Sequence, residues 1–298
     1  MAIPVLPQLS LLRNFFKKLL KLYLRYVPIR KGKKLIMNSL SPLIVGQGYQ
    51  EIAYFDRGLR MLLDLDDWIQ RQIYYFGYYF MEREETKIFQ NLLRPGDIFM
   101  DIGANVGVYT LQAASRVEPS GHVYAFEPID ANFRRLNYNV QMNRLKNVTL
   151  NRLALSDASG TLRLFVGDHS NTGTSSISRS GNWSGLFEEV ETTTVDEFIT
   201  NNSIQDVRLV KIDVEGSELK VIQGMKEFIS ADNPPYLLVE IDSRRLESAG
   251  TSSKELVAFL TELKYEPFLI TKSGLKPVSF VSDAHLVLFR HQSRVGES

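Results

Sequence analysis

The stretch Phe99 to Thr110, FMDIGANVGVYT, sets an aspartate at the end of an apolar run and two glycines, four residues apart, on the turn that follows. Its flanks fix the frame in which that turn is made. DIFMDIG predicts a strand, Val108 to Arg116 a helix, HVYAFEP a strand, Ala131 to Asn143 a helix and NVTLNRLAL a further strand. Strands that alternate with helices predict a doubly wound, parallel α/β sheet, because each helical crossover carries the chain back to the same edge. The alternation resumes with a strand at VRLVKIDVEG, a helix at SELKVIQGM, a strand at YLLVEID, a helix from Ser253 to Leu263 and a last strand at HLVLFR. Between the two halves, TLRLFV and EVETTTV read as an added pair of short strands, separated by the polar loop GDHSNTGTSSISRSGNWSG.

In sheets of this kind ligands sit beyond the strand ends, where the strand order reverses. Gly103 and Gly107 lack a Cβ, so the backbone can turn tightly, and the amides opening the next helix face whatever lies there. Asp101 can accept a hydrogen bond from an ammonium or a water. Glu127, twenty residues past Gly107, ends the second strand of the alternation, where one carboxylate can accept both hydroxyls of a ribose. A dinucleotide fingerprint would read G-x-G-x-x-G, whereas this chain has Gly103-Ala104-Asn105-Val106-Gly107. An acid ahead of the glycines also repels a pyrophosphate but suits the methionyl amine of S-adenosylmethionine. The electrostatics favour the methyl donor.

The stretches DIGANVGVYTL, VYAFEP, NRLALSD and above all KIDVEGSE together resemble the FkbM family of S-adenosylmethionine-dependent methyltransferases, over Asp97 to Ile241. The resemblance implies a class I methyltransferase fold, Rossmann-like, with a doubly wound, mostly parallel seven-stranded sheet whose last strand is antiparallel. It also implies transfer to a hydroxyl oxygen, typically of a sugar or a polyketide-like natural product. Carried over by position, Asp101, Gly103 and Gly107 hold the methionine end of the cofactor, Glu127 the ribose, and Ser156 with Asp157 the adenine edge. Asn105 joins this set, standing where many methyltransferases outside the family have a middle glycine.

Methyl transfer to an alcohol requires an oxygen held in line with the methyl group and an acceptor for its proton. KIDVEG places Asp213 and Glu215 at a strand end, on one pleat face if the strand continues that far, and LLVEID adds Glu240 and Asp242 nearby. Asp213, Glu215 and Glu240 are the candidate catalytic acids. The cluster admits a general base raised by its acidic neighbours, or a divalent cation with oxygen ligands. The base is the preferred reading, and no metal is assigned. The structural alternative is that Glu215 or Glu240 caps a helix or pairs with Lys211, Arg244 or Arg245, and for Asp242 that alternative, a cap or an ion pair, is preferred. In the polar loop, His169 is a conceivable base, and Asn171, Thr172, Thr174, Ser175 and Ser176 could bond a sugar.

The two ends of the chain differ in charge. Residues 1–34 hold nine Lys or Arg and no acid, which leaves 26 basic against 34 acidic side chains in the remainder. An acidic remainder argues against a nucleic-acid partner. On a helix, Leu12, Phe15, Phe16, Leu19, Leu22, Tyr23 and Tyr26 share one side, and Arg13, Lys17, Lys18, Lys21 and Arg25 the other. Lysines interrupt the apolar run too early for a membrane span or a signal peptide. Two fates stay open for residues 9–34, packing against the protein itself or peripheral contact with an anionic membrane. The absence of cysteine excludes disulfides and thiolate metal sites.

Three segments are expected. Residues 1–48 form a basic amphipathic helix and linker, residues 49–90 an aromatic cap with a hairpin turning near Asp56-Arg57-Gly58, and residues 91–298 the methyltransferase domain. The partner is a small molecule or glycan, an oligomer stays open, and the location is cytoplasmic with the inner membrane face as an option. Two rival functions carry different signatures. A nicotinamide-dependent oxidoreductase of Rossmann type would bind NAD and show the missing glycine pattern. An inactive membrane-associated binding protein would not be expected to keep acids at 101, 127 and 213.

Overall fold

A computed structural model describes residues 7–27, 31–45, 48–79, 82–167 and 183–294. It forms two compact units, one within residues 1–80 and one carrying residues 82–167 and 183–294.

The first unit holds helices Pro7–Tyr26, Lys33–Val45 and Trp68–Phe76 with an antiparallel hairpin of β1 (Gln50–Phe55) and β2 (Leu59–Asp64). Its turn falls at Asp56–Gly58, where Arg57 and Gly58 take the left-handed backbone region that a tight reversal requires. Trp68–Phe76 starts where the Asp67 side chain accepts from the Gln70 amide, and stops at Gly77 in the left-handed conformation. The segment 1–48, expected as one basic helix and a linker, holds a second helix at Lys33–Val45.

Helix Pro7–Tyr26 packs on its own unit, but through the opposite face from the one its aromatics suggest. Lys17 Nζ donates to the Tyr49 hydroxyl at 2.8 Å and pairs with Glu51. Lys21 lies 3.9 Å from the centre of the Tyr74 ring, and burial pushes its pKa down to about 8. Arg25 Nη2 donates to the Tyr54 carbonyl at 3.1 Å. Leu20 and Leu24 are buried between these cations, whereas Leu12, Phe15, Phe16, Leu19, Leu22 and Tyr26 are exposed. The basic side is drawn inward because Glu51 and the tyrosines offer its ammonium groups partners, which the aromatic side chains do not need. No helix among the described residues is long and apolar enough to cross a membrane.

The second unit contains β3 (Ile98–Ile102), β4 (His122–Phe126), β5 (Val148–Asn151), β6 (Ala154–Leu155), β7 (Gly160–Gly167), β8 (Trp183–Thr193), β9 (Val207–Ile212), β10 (Tyr236–Ile241), β11 (Tyr265–Thr271), β12 (Gly274–Pro277) and β13 (Ala284–His291). The main sheet has the order β12-β11-β13-β10-β9-β3-β4-β5. Strands β5, β4, β3, β9 and β10 are parallel neighbours, and the last strand, β13, is antiparallel to β10. This is the doubly wound arrangement expected, with eight strands in place of seven. The additional one is β12, which folds back on β11 after the turn at Lys272 and Ser273. NVTLNRLAL, expected as one strand, breaks in two: β5 ends in the main sheet, and β6 joins β7 and β8 in a separate three-stranded sheet.

The central strands are buried on both faces, as long apolar runs demand. Alternation sorts their side chains. Met100, Ile102, Val210, Ile212 and Val239 enter one core with Val221, Leu246 and Leu256. Phe99, Leu209 and Leu238 enter the other with Phe89, Tyr109 and Val117. β3 lies where the order reverses, with β4 and β5 on one side and β9 and β10 on the other. The crevice beyond its carboxyl end is therefore where a ligand belongs.

Candidate active site

Three polar side chains share the second core face at the carboxyl ends of neighbouring strands. Asp101 on β3 stands in register with Lys211 on β9, which stands opposite Leu238 on β10, two residues before Glu240. Period-two alternation thus carries Asp101, Lys211 and Glu240 to one side. Thr110, on the helix Val108–Val117 that follows the glycine turn, donates to Asp101 Oδ2 at 2.6 Å. Asp101 is fully buried and its Oδ1 has no hydrogen-bond partner, so burial pushes its carboxyl pKa up while Lys211 opposes the rise.

The turn between β3 and this helix is tied to β4. Amides of Gly103 and Ala104 both donate to the Phe126 carbonyl, at 3.0 and 2.9 Å. Asn105 takes the left-handed region at φ 49°, which asparagine tolerates, and its amide donates to Glu127 Oε2 at 2.9 Å. The Ile129 amide donates to Glu127 Oε1 at 3.0 Å. Burial still lifts the Glu127 pKa to about 7. Asn139 Nδ2 holds the Val106 carbonyl at 2.9 Å, and Asn105 Oδ1 is buried without a partner.

Both glycines have a reason inside the chain. A Cβ on Gly103 would lie 1.9 Å from the Asp213 carbonyl oxygen, and one on Gly107 2.6 Å from Leu136 Cδ1, with φ at 83° and 97°. Gly103 lets the ends of β3 and β9 cross closely, which is a tighter demand than the ligand approach expected of it. Ser156 is buried and bonds Asp157 Oδ1 at 2.9 Å, just past β6. Its carbonyl lies 1.9 Å from where Gly224 would carry a Cβ.

The acids converge by a different route from a continued strand. β9 stops at Ile212, the Asp213 amide bonds the Ile102 carbonyl at 3.1 Å, and Glu215 turns into the left-handed region at φ 60°. Left-handed backbone at a glutamate is strained. Glu218 holds this turn by accepting from the amides of Val214 and Gly216 at 3.0 and 3.1 Å. One oxygen each from Asp213, Glu215 and Glu240 lie within 4.8 Å of one another.

Cations stand on both sides of the trio. Lys211 Nζ is 2.9 Å from Asp213 Oδ2, while Arg245 pairs with Glu215 and, at 3.0 Å, with Glu240. Burial works against every charge here, yet Lys211 and a bond from Glu240 hold Asp213 below the usual carboxylate range. Glu215 and Glu240 are pushed well above theirs, first by burial and then by acidic neighbours, against Arg245. The pairing of Glu215 and Glu240 with Arg245 was the structural alternative read in the sequence. Asp242 is a cap, accepting from the amides of Arg244 and Arg245.

Lys211 also lies 4.9 Å from the Tyr109 ring centre, and the Tyr109 hydroxyl donates to Glu82 at 2.7 Å. Burial lifts the Glu82 pKa to about 7. Glu82, Tyr109, Thr110 and Glu218 escaped the sequence reading. Thr110 and Glu218 had a signal: each sits in the first turn of a helix that follows a strand-end acid. His169, Asn171, Thr172, Thr174, Ser175 and Ser176 lie outside the described residues.

Among the described residues, the carboxyl groups gathered here outnumber the cations that face them, Lys211 and Arg245. Such a site either retains protons or receives a cation. The unpartnered Oδ1 of Asp101 and Oδ1 of Asn105 are acceptors without donors at the tip of β3, and a cationic amino-acid end supplies donors. The residues fit S-adenosylmethionine.

The model of the methyltransferase FkbM domain matches residues 101–267. The chain is 27% identical over 183 residues to the hexuronic acid methyltransferase AglP of Haloferax volcanii, in an alignment covering 61% of this chain and 69% of that one. It is 30% identical over 162 residues to the 31-O-demethyl-FK506 methyltransferase FkbM of Streptomyces tacrolimicus, covering 45% and 62% respectively. A SAM-dependent O-methyltransferase from Thermotoga maritima is similar in structure at 14% identity and a TM-score of 0.39, over 82% of this chain and 92% of that one.

Proposed function

The chain belongs to the FkbM family of S-adenosylmethionine-dependent methyltransferases, and we propose that it transfers the methyl group to a hydroxyl oxygen of a carbohydrate, glycan or polyketide-like acceptor. The convergence of Asp213, Glu215 and Glu240 carries this reading. A carboxylate acceptor needs no base, because it is already ionised at neutral pH. An alcohol must lose a proton as its bond to carbon forms, and the trio provides a place for it.

The bound cofactor supplies an electrophilic methyl group on a sulfonium. Asp101 Oδ1 and Asn105 take its amino-acid end, directly or through water, while the turn at Gly103 and Gly107 shapes the backbone beside it. Glu127, when ionised, keeps lone pairs beyond its two amide bonds and accepts the ribose hydroxyls. Ser156 and Asp157 border the adenine. Asp213, the acid held ionised, accepts the proton of the acceptor alcohol. Glu240 shares a proton with Asp213, and Glu215 with Glu240 fixes Arg245. Lys211 orients Asp213 and keeps it charged.

The relatives are named for a hexuronic acid and for the polyketide 31-O-demethyl-FK506, which supports two acceptor classes, uronic-acid glycans and polyketides. The purified protein is to be incubated with methyl-labelled S-adenosylmethionine and with uronic-acid glycans or hydroxylated polyketides. An ether product keeps its label in mild alkali. Label released by alkali would mark a methyl ester and contradict hydroxyl transfer.

A further inference from the structure

Helix Pro7–Tyr26 is held to its unit by Lys17, Lys21, Arg25, Leu20 and Leu24, and this leaves its apolar stripe outward. Leu12, Phe15, Phe16, Leu19 and Leu22 are each about half exposed, and Tyr26 reaches 70%. At 100° per residue they span about a third of the helix circumference, opposite the packed side. Leu35 and Leu43 on helix Lys33–Val45 are also exposed, at 71% and 75%. Apolar surface this concentrated on a single element calls for an occupant.

We propose that this stripe docks the protein on an anionic lipid bilayer, with the helix lying in the headgroup zone. Charge selects the occupant. Residues 1–50 contain no acidic side chain, and Arg13, Lys18, Lys31 and Lys34 are exposed. Lys18 borders the apolar stripe directly. A second copy brought face to face would set like charges against each other, whereas anionic headgroups neutralise them. The helix is too interrupted by lysine to cross, so it lies along the surface. Only part of the cationic side read from the sequence does this work: Lys17, Lys21 and Arg25 are engaged inside the unit, and the flanking Arg13 and Lys18 meet the lipid. This docking does not depend on the identity of the acceptor or on methyl transfer.

The test is flotation of the full chain with phosphatidylcholine vesicles, with and without phosphatidylglycerol. The wild type floats with anionic vesicles, and its bound fraction falls at least about tenfold with neutral ones. The variant Phe15→Glu/Leu19→Glu/Leu22→Glu, altered only at exposed positions, stays with the soluble fraction while its circular dichroism and thermal midpoint match wild type. Arg13→Glu/Lys18→Glu weakens binding to anionic vesicles alone. Wild type that fails to float with anionic vesicles, or a triple variant that still floats, overturns the proposal. So does a wild-type dimer that the triple variant converts to monomer without any flotation, since the stripe would then be a contact between copies.

Discussion

Lys211 Nζ lies 2.9 Å from Asp213 Oδ2, with the lysine on the last turn of the pleat in β9 and the aspartate just beyond the strand's end. The lysine side chain is 3% exposed, so its ammonium depends on this carboxylate and on Asp101, and the three form a chain of charge across the tips of β3 and β9. In such an arrangement, removing one member leaves another charged without compensation.

Lys211→Met therefore destabilises the protein by about 3–5 kcal/mol, the range for breaking a buried pair. It also lets the Asp213 pKa rise. Because Asp213 is held below its ordinary value of 3.8, its contribution to stability is present above that pH and is lost as pH falls through the lower, folded-state value. In the variant the acid limb of the rate profile moves to higher pH. Urea denaturation and a pH–rate series check both, and an unmoved limb would separate Lys211 from the function of Asp213.

Asp213→Asn keeps the shape but removes the proposed proton acceptor, and methyl transfer is expected to fall about a hundredfold or more while cofactor affinity stays within a small factor. Glu215→Gln loosens Arg245 and lowers turnover by less. Single-turnover assays with labelled cofactor read both, and full activity in Asp213→Asn would remove it from the chemistry.

Gly103→Ala places a methyl group 1.9 Å from the Asp213 carbonyl and demands a left-handed backbone. The expected cost is about 2 kcal/mol or more, read as a lower thermal midpoint. A midpoint equal to wild type would mean that β3 and β9 do not cross this closely.

Glu127, Glu82 and Glu218 each titrate at about 7 in the folded protein instead of 4.5. A raised carboxyl means that the folded state binds more protons than the unfolded one between these values. Stability of the cofactor-free protein consequently falls as pH rises from 4.5 to 7, by up to about 1.4 kcal/mol per pH unit for each proton. Glu218→Gln reduces that slope, and denaturation series at fixed pH steps measure it. A slope that does not change would mean that Glu218 is ionised throughout.

The alternation of strands and helices made the main sheet legible, because strands buried on both faces must be largely apolar, and Ile98–Ile102, Val207–Ile212 and Tyr236–Ile241 are so apart from Asp101, Arg208, Lys211 and Glu240. β12 was hidden, since Gly274–Pro277 is short and exposed and reads as loop. The split between Asn151 and Ala154 was hidden too, because membership of one sheet or another is decided by partners far away in the sequence. At the site, Asp101, Glu127 and Asp213 announced themselves as charges at the ends of apolar runs. Glu215 was found for the wrong geometric reason: a left-handed turn, which no pleat periodicity encodes, brings it to Glu240. The inverted docking of helix Pro7–Tyr26 was beyond reach, because amphipathicity separates two faces without saying which one meets Glu51 and Tyr74.

The central claim is that acids at the tips of β3 and β4 grip the two ends of a sulfonium nucleoside. Isothermal titration with S-adenosylhomocysteine, which keeps the amine and the ribose, tests it on wild type, Asp101→Asn and Glu127→Ala. Wild type is predicted to bind one equivalent, more tightly as pH rises through 7 and Glu127 ionises, and Glu127→Ala to lose about 1–3 kcal/mol together with that pH dependence. Asp101→Asn weakens binding at every pH. Affinity unchanged in both variants, or no binding by the wild type, would contradict the account.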